Sequence, residues 1–433
     1  MRKLIWSGEV TAQRVRELIP RAAIGGADVE TRVAELIGEV KNSGERALRD
    51  HSERFDGVVP KSFKVAREDM AQALEELDPA LRTALEKSIA RVRAVSQDQL
   101  PAEILSKPTA GGEVRLRSVP VDSVGLYVPG GKAVYPSSTI MNVIPAQVAE
   151  VPRLLICTPP QKEFAGLPHP TILATAELLG VSDVFAIGGA SAVAAMAYGV
   201  ESIGLEPVRM VTGPGNIFVA TAKGLLRGEI AIDSEAGPTE VMIIADAQAD
   251  ARLIAADLIS QAEHDENAAA VLLTDSEELI AEVALEVERQ TPNTPNRTRV
   301  EAALAGQQSV LCKTASIVEA IAIANEYATE HLEIMTADAR DVAAQIRNAG
   351  AVFVGAHSPV SLGDYLAGSN HVLPTSEQAK FYSGLSVQTF LRQQQVVSYS
   401  QEALREVVAD LSVFADAEGL GAHGEAARIR FES

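Results

Sequence analysis

From about residue 115 the sequence alternates short β-branched runs with helical stretches, and this alternation constrains the fold more than any other feature. RLLICTP, DVFAIGG, VRMVTGPGN, EVMIIAD, AAAVLLTD and AGAVFVG are the clearest runs, most of them separated by a crossover helix. Strand followed by helix followed by strand means a parallel sheet with helices on its faces. The units suffice for two such sheets, one within about 120–236 and another within about 238–370. Residues 1–110 read instead as charged, alanine-rich helices, and past 378 the irregular spacing suggests a small C-terminal appendage.

A chain of 433 residues needs two or three cores. Its formal charge of -20 disfavours nucleic acid and anionic lipid as partners. Cys157 and Cys312 lie in no metal or redox pattern, which fits a reducing, cytoplasmic setting. MRKLIWSGEV reaches Glu9 before any apolar run, so no secretory signal is expected. The least polar stretch, 184–200, is too short to span a bilayer, so a soluble chain is expected.

Several stretches place polar groups where structure alone would not. In ADARLIAADLISQAEHDEN, steps from Ile254 lead through Leu258 to Gln261 and His264, so an apolar helix face ends in an amide and an imidazole. The segment capped by Ser316 and Glu319 likewise carries its apolar face on to His331, with Glu330 beside it. A neighbouring carboxylate and imidazole can divide acid and base duties near neutral pH. Asp364 follows the strand AGAVFVG in a glycine-bounded loop, expected to lie at the carboxyl end of a sheet. Glu418 and His423 stand near the chain end. His371 has no partner at diagnostic spacing and reads as structural; His51, His169 and His357 lie in ordinary contexts.

Three glycine turns have the context for a nucleotide: Gly188 and Gly189, Gly213 and Gly215, and the stretch Pro129, Gly130 and Gly131 after Tyr127. None is a full GxGxxG, and glycine alone also serves a tight strand-to-helix turn. Gln261, His264, Asp364 and His423 together would form a mixed nitrogen and oxygen set that suits zinc and tolerates manganese or cobalt. Their spacing does not single out a metal site. The residues alone therefore reach an α/β enzyme linked to a nucleotide and to a metal.

Taken in order, GLYVPGG, YPSS, GPGN, AIDSEAGPTEV, SQAEHD, EYATEHLE, GDYLAGSNHVLPTS, FYSGLSVQTF and EGLGAHGEAARIR resemble the histidinol dehydrogenase family over roughly 120–430. The resemblance implies one zinc ion on Gln261, His264, Asp364 and His423, and a catalytic pair, Glu330 and His331. It implies a substrate pocket lined by Thr239, Tyr365 and Glu418 together with Gln261, His264, His331, Asp364 and His423. NAD would be contacted by Tyr127, Ser191 and Asn216. The family usually has Gln at the position of Ser191, and commonly Ser at the position of Thr239.

The implied fold is α/β, with two incomplete Rossmann-like parallel-sheet domains. Residues 1–24 form an N-terminal arm, 25–115 join 238–376 as the larger domain, 120–236 bind the nucleotide, and 377–433 reach into the partner's site of an intertwined homodimer. The implied reaction is the NAD-dependent four-electron oxidation of L-histidinol to L-histidine via L-histidinal. Alternatives are a zinc- and NAD-dependent dehydrogenase of another small diol, such as a sulfonated propanediol, a zinc hydrolase, or a non-catalytic scaffold.

Overall fold

The computed structural model describes residues 1–22, 26–130, 134–235 and 237–432. Its larger sheet has six parallel strands in the order Arg2–Ile5, Val310–Lys313, Ala269–Thr274, Glu240–Ala245, His331–Met335 and Ala351–Val354. The second has five, in the order Val184–Ala186, Arg153–Thr158, Ser123–Tyr127, Met210–Thr212 and Ala231–Ile232, also parallel. EVMIIA and AAVLLT are buried at every position, as a strand covered by helices on both faces requires. Val241, Ile243 and Ala245 face one apolar cluster and Met242 and Ile244 another, so this sheet separates two cores.

The N-terminal arm is part of the larger sheet, since Arg2–Ile5 pairs with Val310–Lys313 as an edge strand. The helices of 27–98 depart from the expected grouping with 238–376. Val33, Leu36 and Ile37 pack with Phe185, Ile187 and Met196, while Met70, Leu85 and Val92 pack with Val124, Ile140 and Leu173, all of the smaller sheet's unit. An amphipathic helix announces that one face is buried but not what buries it.

The C-terminal segment forms a separate feature. Leu391–Tyr399 pairs antiparallel with Gly112–Pro120, which pairs in turn with Ile104–Thr109, and the helices Gln401–Ala417 and Gly421–Arg428 follow. No helix among the described residues is long and apolar enough to cross a membrane.

One glycine turn shows why the smaller sheet needs glycine. Gly213 has φ +117° and its amide donates to Asp233 at 2.9 Å, while its carbonyl accepts from the buried Lys223 at 3.0 Å. Lys223 is also paired with Asp233, so the ion pair clamps the turn from both sides. A Cβ at this position would lie 2.1 Å from the Tyr127 carbonyl oxygen. Gly213→Ala should therefore cost about 2 kcal/mol or more, from backbone strain and forced displacement together. Urea unfolding of the variant beside the parent measures it.

Candidate active site

The expected residues of the larger sheet come together at the amino ends of its central strands, not at the carboxyl ends. Thr239 immediately precedes Glu240–Ala245, and Glu330 immediately precedes His331–Met335. His331 is thus the first residue of a strand rather than the last of a helix. The helix Ile317–Tyr327 is stopped by Ala328 at φ +53°, before the apolar periodicity suggested. Asp364 is likewise not in a loop beyond the sheet: it lies in the helix Val360–Tyr365. It comes close enough to His331 and Glu330 for their charges to bear on it.

Gln261 is on the core face of the helix Ala251–Ala262, as the pattern predicts, and is 2% exposed. Its amide nitrogen donates to Thr239 Oγ1, while its Oε1 is buried with no hydrogen-bond partner. His264 lies two residues beyond the helix and burial holds its imidazole below its ordinary pKa, so it favours the neutral form that a metal ligand needs.

Glu330 Oε2 accepts from Thr239 Oγ1 at 2.5 Å and from the Glu240 amide at 2.9 Å. Burial pushes its carboxyl up to about 8, against the pull of those two hydrogen bonds. His331 Nδ1 lies 3.1 Å from the Glu240 carbonyl and 3.5 Å from Glu330 Oε2. A carbonyl can only accept, so Nδ1 carries the proton and Nε2 the lone pair. Burial lowers the imidazole pKa, keeping it neutral, and its Nε2 has no partner. Asp364 is raised to about 6, chiefly by burial.

Glu240 was not singled out in the sequence, nor was Arg21. The Arg21 guanidinium spans both Glu240 carboxylate oxygens at 2.5 and 3.1 Å, donates to the Tyr327 carbonyl at 2.6 Å and lies 3.8 Å over the Tyr327 ring. No local pattern marks either residue, because their partners are more than 200 positions apart.

Tyr365 stays beside Asp364, whose charge bears on its hydroxyl, whereas two expected residues lie elsewhere. Tyr365 is exposed, although its carbonyl accepts from Ser88 Oγ at 2.6 Å. Glu418 and His423 are exposed on the C-terminal helices and make no hydrogen bond or ion pair with Gln261, His264 or Asp364. Among the described residues, no three His, Cys, Asp or Glu side chains converge as a metal-holding group. That arm also exposes Val397, Val413, Phe414 and Ile429, with Phe414 73% exposed.

The expected nucleotide contacts do stand at carboxyl strand ends, those of the smaller sheet. Tyr127 ends its strand and its hydroxyl accepts from the Gly189 amide at 3.1 Å. Asn216 caps the helix Ile217–Leu226 through the amides of Phe218 and Val219. The Ser191 hydroxyl is 2.8 Å from His51 Nδ1, and His51 Nε2 is 2.6 Å from Glu39, so a cofactor contact by Ser191 would compete with that chain. Gly131 lies outside the described residues. His371 spans the two halves, with Nδ1 3.1 Å from the Asp364 carbonyl and Nε2 3.2 Å from Ser138 Oγ, which agrees with its structural reading.

The family model described as histidinol dehydrogenase matches residues 20–431. The chain is 51% identical over 422 residues to the histidinol dehydrogenase of Leifsonia xyli, covering 98% of this chain and 97% of that one. It is 53% identical over 431 residues to the histidinol dehydrogenase of Corynebacterium diphtheriae, covering 98% and 95%. The crystal structure of histidinol dehydrogenase from Elizabethkingia anophelis superposes with a TM-score of 0.93 at 31% identity, over 100% of this chain and 98% of that one.

The buried Glu330 carboxyl makes a pH signature of its own. Between the ordinary glutamate value of 4.5 and about 8, the folded chain holds a proton that the unfolded chain releases, so stability should fall as pH rises through this window. The slope approaches about 1.4 kcal/mol per pH unit where the two states differ by a full proton. Glu330→Gln should flatten this part of the profile, as read by urea unfolding of the metal-free protein at pH 5.5, 6.5 and 7.5.

Proposed function

Because the chain belongs to the histidinol dehydrogenase family and is an oxidoreductase that acts on histidinol in histidine biosynthesis, we propose that it takes L-histidinol to L-histidine through L-histidinal, reducing two NAD and using one zinc ion. The observation that carries this reading is the neutral His331, with a free Nε2 lone pair, beside the buried Glu330 carboxyl. Gln261, His264 and Asp364 would hold the metal together with His423. The orphaned Gln261 Oε1 and the neutral His264 fit a divalent cation, which would supply a fixed anchor for the substrate's amine and imidazole.

In the first oxidation His331 Nε2 takes the alcohol proton as the alcohol becomes the aldehyde; NAD, when bound, would supply the hydride acceptor for each of the two oxidations. The Nδ1 bond to the Glu240 carbonyl fixes the ring and stabilises the imidazolium that forms. An aldehyde has no carbinol to give up until water adds to it. Glu330, with a carboxyl near neutral pKa, is suited to take the proton of that water, which gives the hydrate that the second oxidation needs. Thr239 orients the carboxyl and would line the pocket with Tyr365 and Glu418. NAD would lie along the turns that carry Tyr127, Ser191 and Asn216, where the smaller sheet's carboxyl ends open.

A homodimer with shared sites accounts for the arm. His423 and Glu418 are polar groups beside exposed Val413 and Phe414, an apolar surface suited to cover by a second copy. Residues 377–433 would then complete the partner's site, and 120–236 would be the nucleotide-binding unit. The buried free thiols of Cys157 and Cys312 support a reducing, cytoplasmic setting.

Two outcomes check this. NADH formed per L-histidinol consumed should be two with zinc present and should vanish on chelation; a ratio of one would remove the second oxidation. Asp364→Ala and His423→Ala should each be inactive alone. After their dimers are dissociated and reassociated in equal amounts, about a quarter of parental turnover should return, because half the dimers are mixed and each of these holds one intact site. No recovery, with mixed dimers confirmed by tags, would place each site within one chain.

A further inference from the structure

A second buried acid lies under the proposed site and takes no part in the chemistry above. Glu333 is in the middle of the strand His331–Met335 and is 1% exposed. Residues two apart in a strand share a face, so Glu333 points to the same side as His331, while Leu332 and Ile334 enter the opposite core. Its neighbours on that side are apolar: Val241 and Ile243 from the adjacent strand, and Ile254 and Leu258 from the covering helix, form one cluster. An isoleucine would suit the position. A buried carboxyl there costs desolvation, so its bonds need a reason.

Those bonds have a regular arrangement. Glu333 Oε1 accepts from the Val360 amide at 2.9 Å, at the first residue of the helix Val360–Tyr365. Its Oε2 is buried with no hydrogen-bond donor, and the same carboxyl lies close enough to Asp257 on the helix Ala251–Ala262 for the two acids to interact. Val360 is four residues before Asp364 and Asp257 is four before Gln261, one helical turn in each case. His331 is two residues before Glu333 itself. One carboxyl thus touches, a single turn or one strand repeat away, each of the three segments that supply Gln261, His331 and Asp364. Burial raises the pKa of both acids, and a proton on either one would turn their contact from repulsion into a hydrogen bond. No lysine, arginine or histidine pairs with either acid among the described residues.

We propose that Glu333 is a positioning residue for the active site: bonded to the Val360 amide and set against Asp257, it fixes the spacing of the helix that carries Gln261, the strand that carries His331 and the helix that carries Asp364. The proposal concerns the spacing of these segments, and only its second readout rests on the zinc reading.

The test uses full-length protein carrying Glu333→Gln, Glu333→Leu or Asp257→Ala. Hydrogen exchange of the metal-free protein follows the amides of 360–366, and competition with a chromophoric chelator measures zinc affinity. Glutamine keeps an oxygen for Val360 and offers an amide donor to Asp257, so both readouts should stay within about threefold of the parent. Leucine fills the space and keeps neither contact. Exchange at 360–366 should rise about tenfold or more, and zinc affinity should fall about 10- to 100-fold, as for groups that orient metal ligands. Amides of Ala269–Thr274, elsewhere in the same sheet, should exchange as in the parent; an equal rise there marks general destabilisation and overturns the positioning role. Should the leucine variant fail to fold, Asp257→Ala at a half-buried position carries the test, with both readouts moving in the same direction. A leucine variant, or in its place an alanine variant, that exchanges and binds zinc like the parent overturns the proposal. So does a glutamine variant as impaired as leucine. A parent that binds no zinc removes the zinc reading, and exchange in the metal-free proteins still decides the role of Glu333.

Discussion

The Glu330–His331 pair depends on a single residue's backbone. Glu240 donates its amide hydrogen to Glu330 Oε2 and accepts at its carbonyl oxygen from His331 Nδ1, so one residue orients both side chains. The strand register makes this possible: His331 pairs with Val241, which leaves Glu240 opposite the entry to the neighbouring strand. Glu240 is held in turn by its own buried carboxylate, spanned by Arg21 and reached by the Ser376 amide at 3.2 Å. Removing Arg21 would leave that carboxylate buried and unpaired, a cost of about 3–5 kcal/mol on the strand start that aligns the pair. The N-terminal arm is therefore tied to the site through an ion pair, although it supplies no group to the proposed reaction.

The two sheets present opposite ends to the site. The larger offers the amino ends of its central strands, where side chains just before a strand project from both neighbours. The smaller offers its carboxyl ends, where glycine turns lead into helices. The carboxyl-end turns of the smaller sheet reach the larger sheet's residues through Ser138, so the two halves are held in register there. His371 bears on that register from the inside. Burial holds its imidazole at about 4, so near neutrality it stays uncharged and serves as a bridge between the Asp364 carbonyl and Ser138.

Much of this fold is legible because parallel sheets buried on both faces write themselves as continuous apolar runs, and each run used to infer the two sheets contains a strand. Gln261 was legible for a related reason: an amide on the face continued from Ile254 and Leu258 breaks a pattern that packing alone would preserve. The position of His331 was misread by the same rule. Its helix ends at Ala328 in a left-handed turn, and periodicity cannot see a terminator that carries neither glycine nor proline. Asp364 was expected at a carboxyl end because it follows a strand, but a short helix intervenes and returns the chain toward the amino ends. Arg21, Glu240, Asp257 and Glu333 were silent, since each is meaningful only through a partner far away in sequence.

The protonation states of the pair argue for a division of labour that geometry alone leaves open. Two adjacent bases of equal strength would compete for the same proton. Here the same burial acts on both with opposite sign, pushing an acid up and an imidazole down. Near neutral pH the imidazole is the group with an available lone pair, and the carboxyl holds its proton within reach of release. An alcohol oxidation calls on the first, and activation of water calls on the second once a nearby positive charge draws the carboxyl pKa back down. Thr239 and the Glu240 amide donate to the ionised carboxyl and already pull in that direction, so the groups that orient Glu330 also ease its conversion to a base.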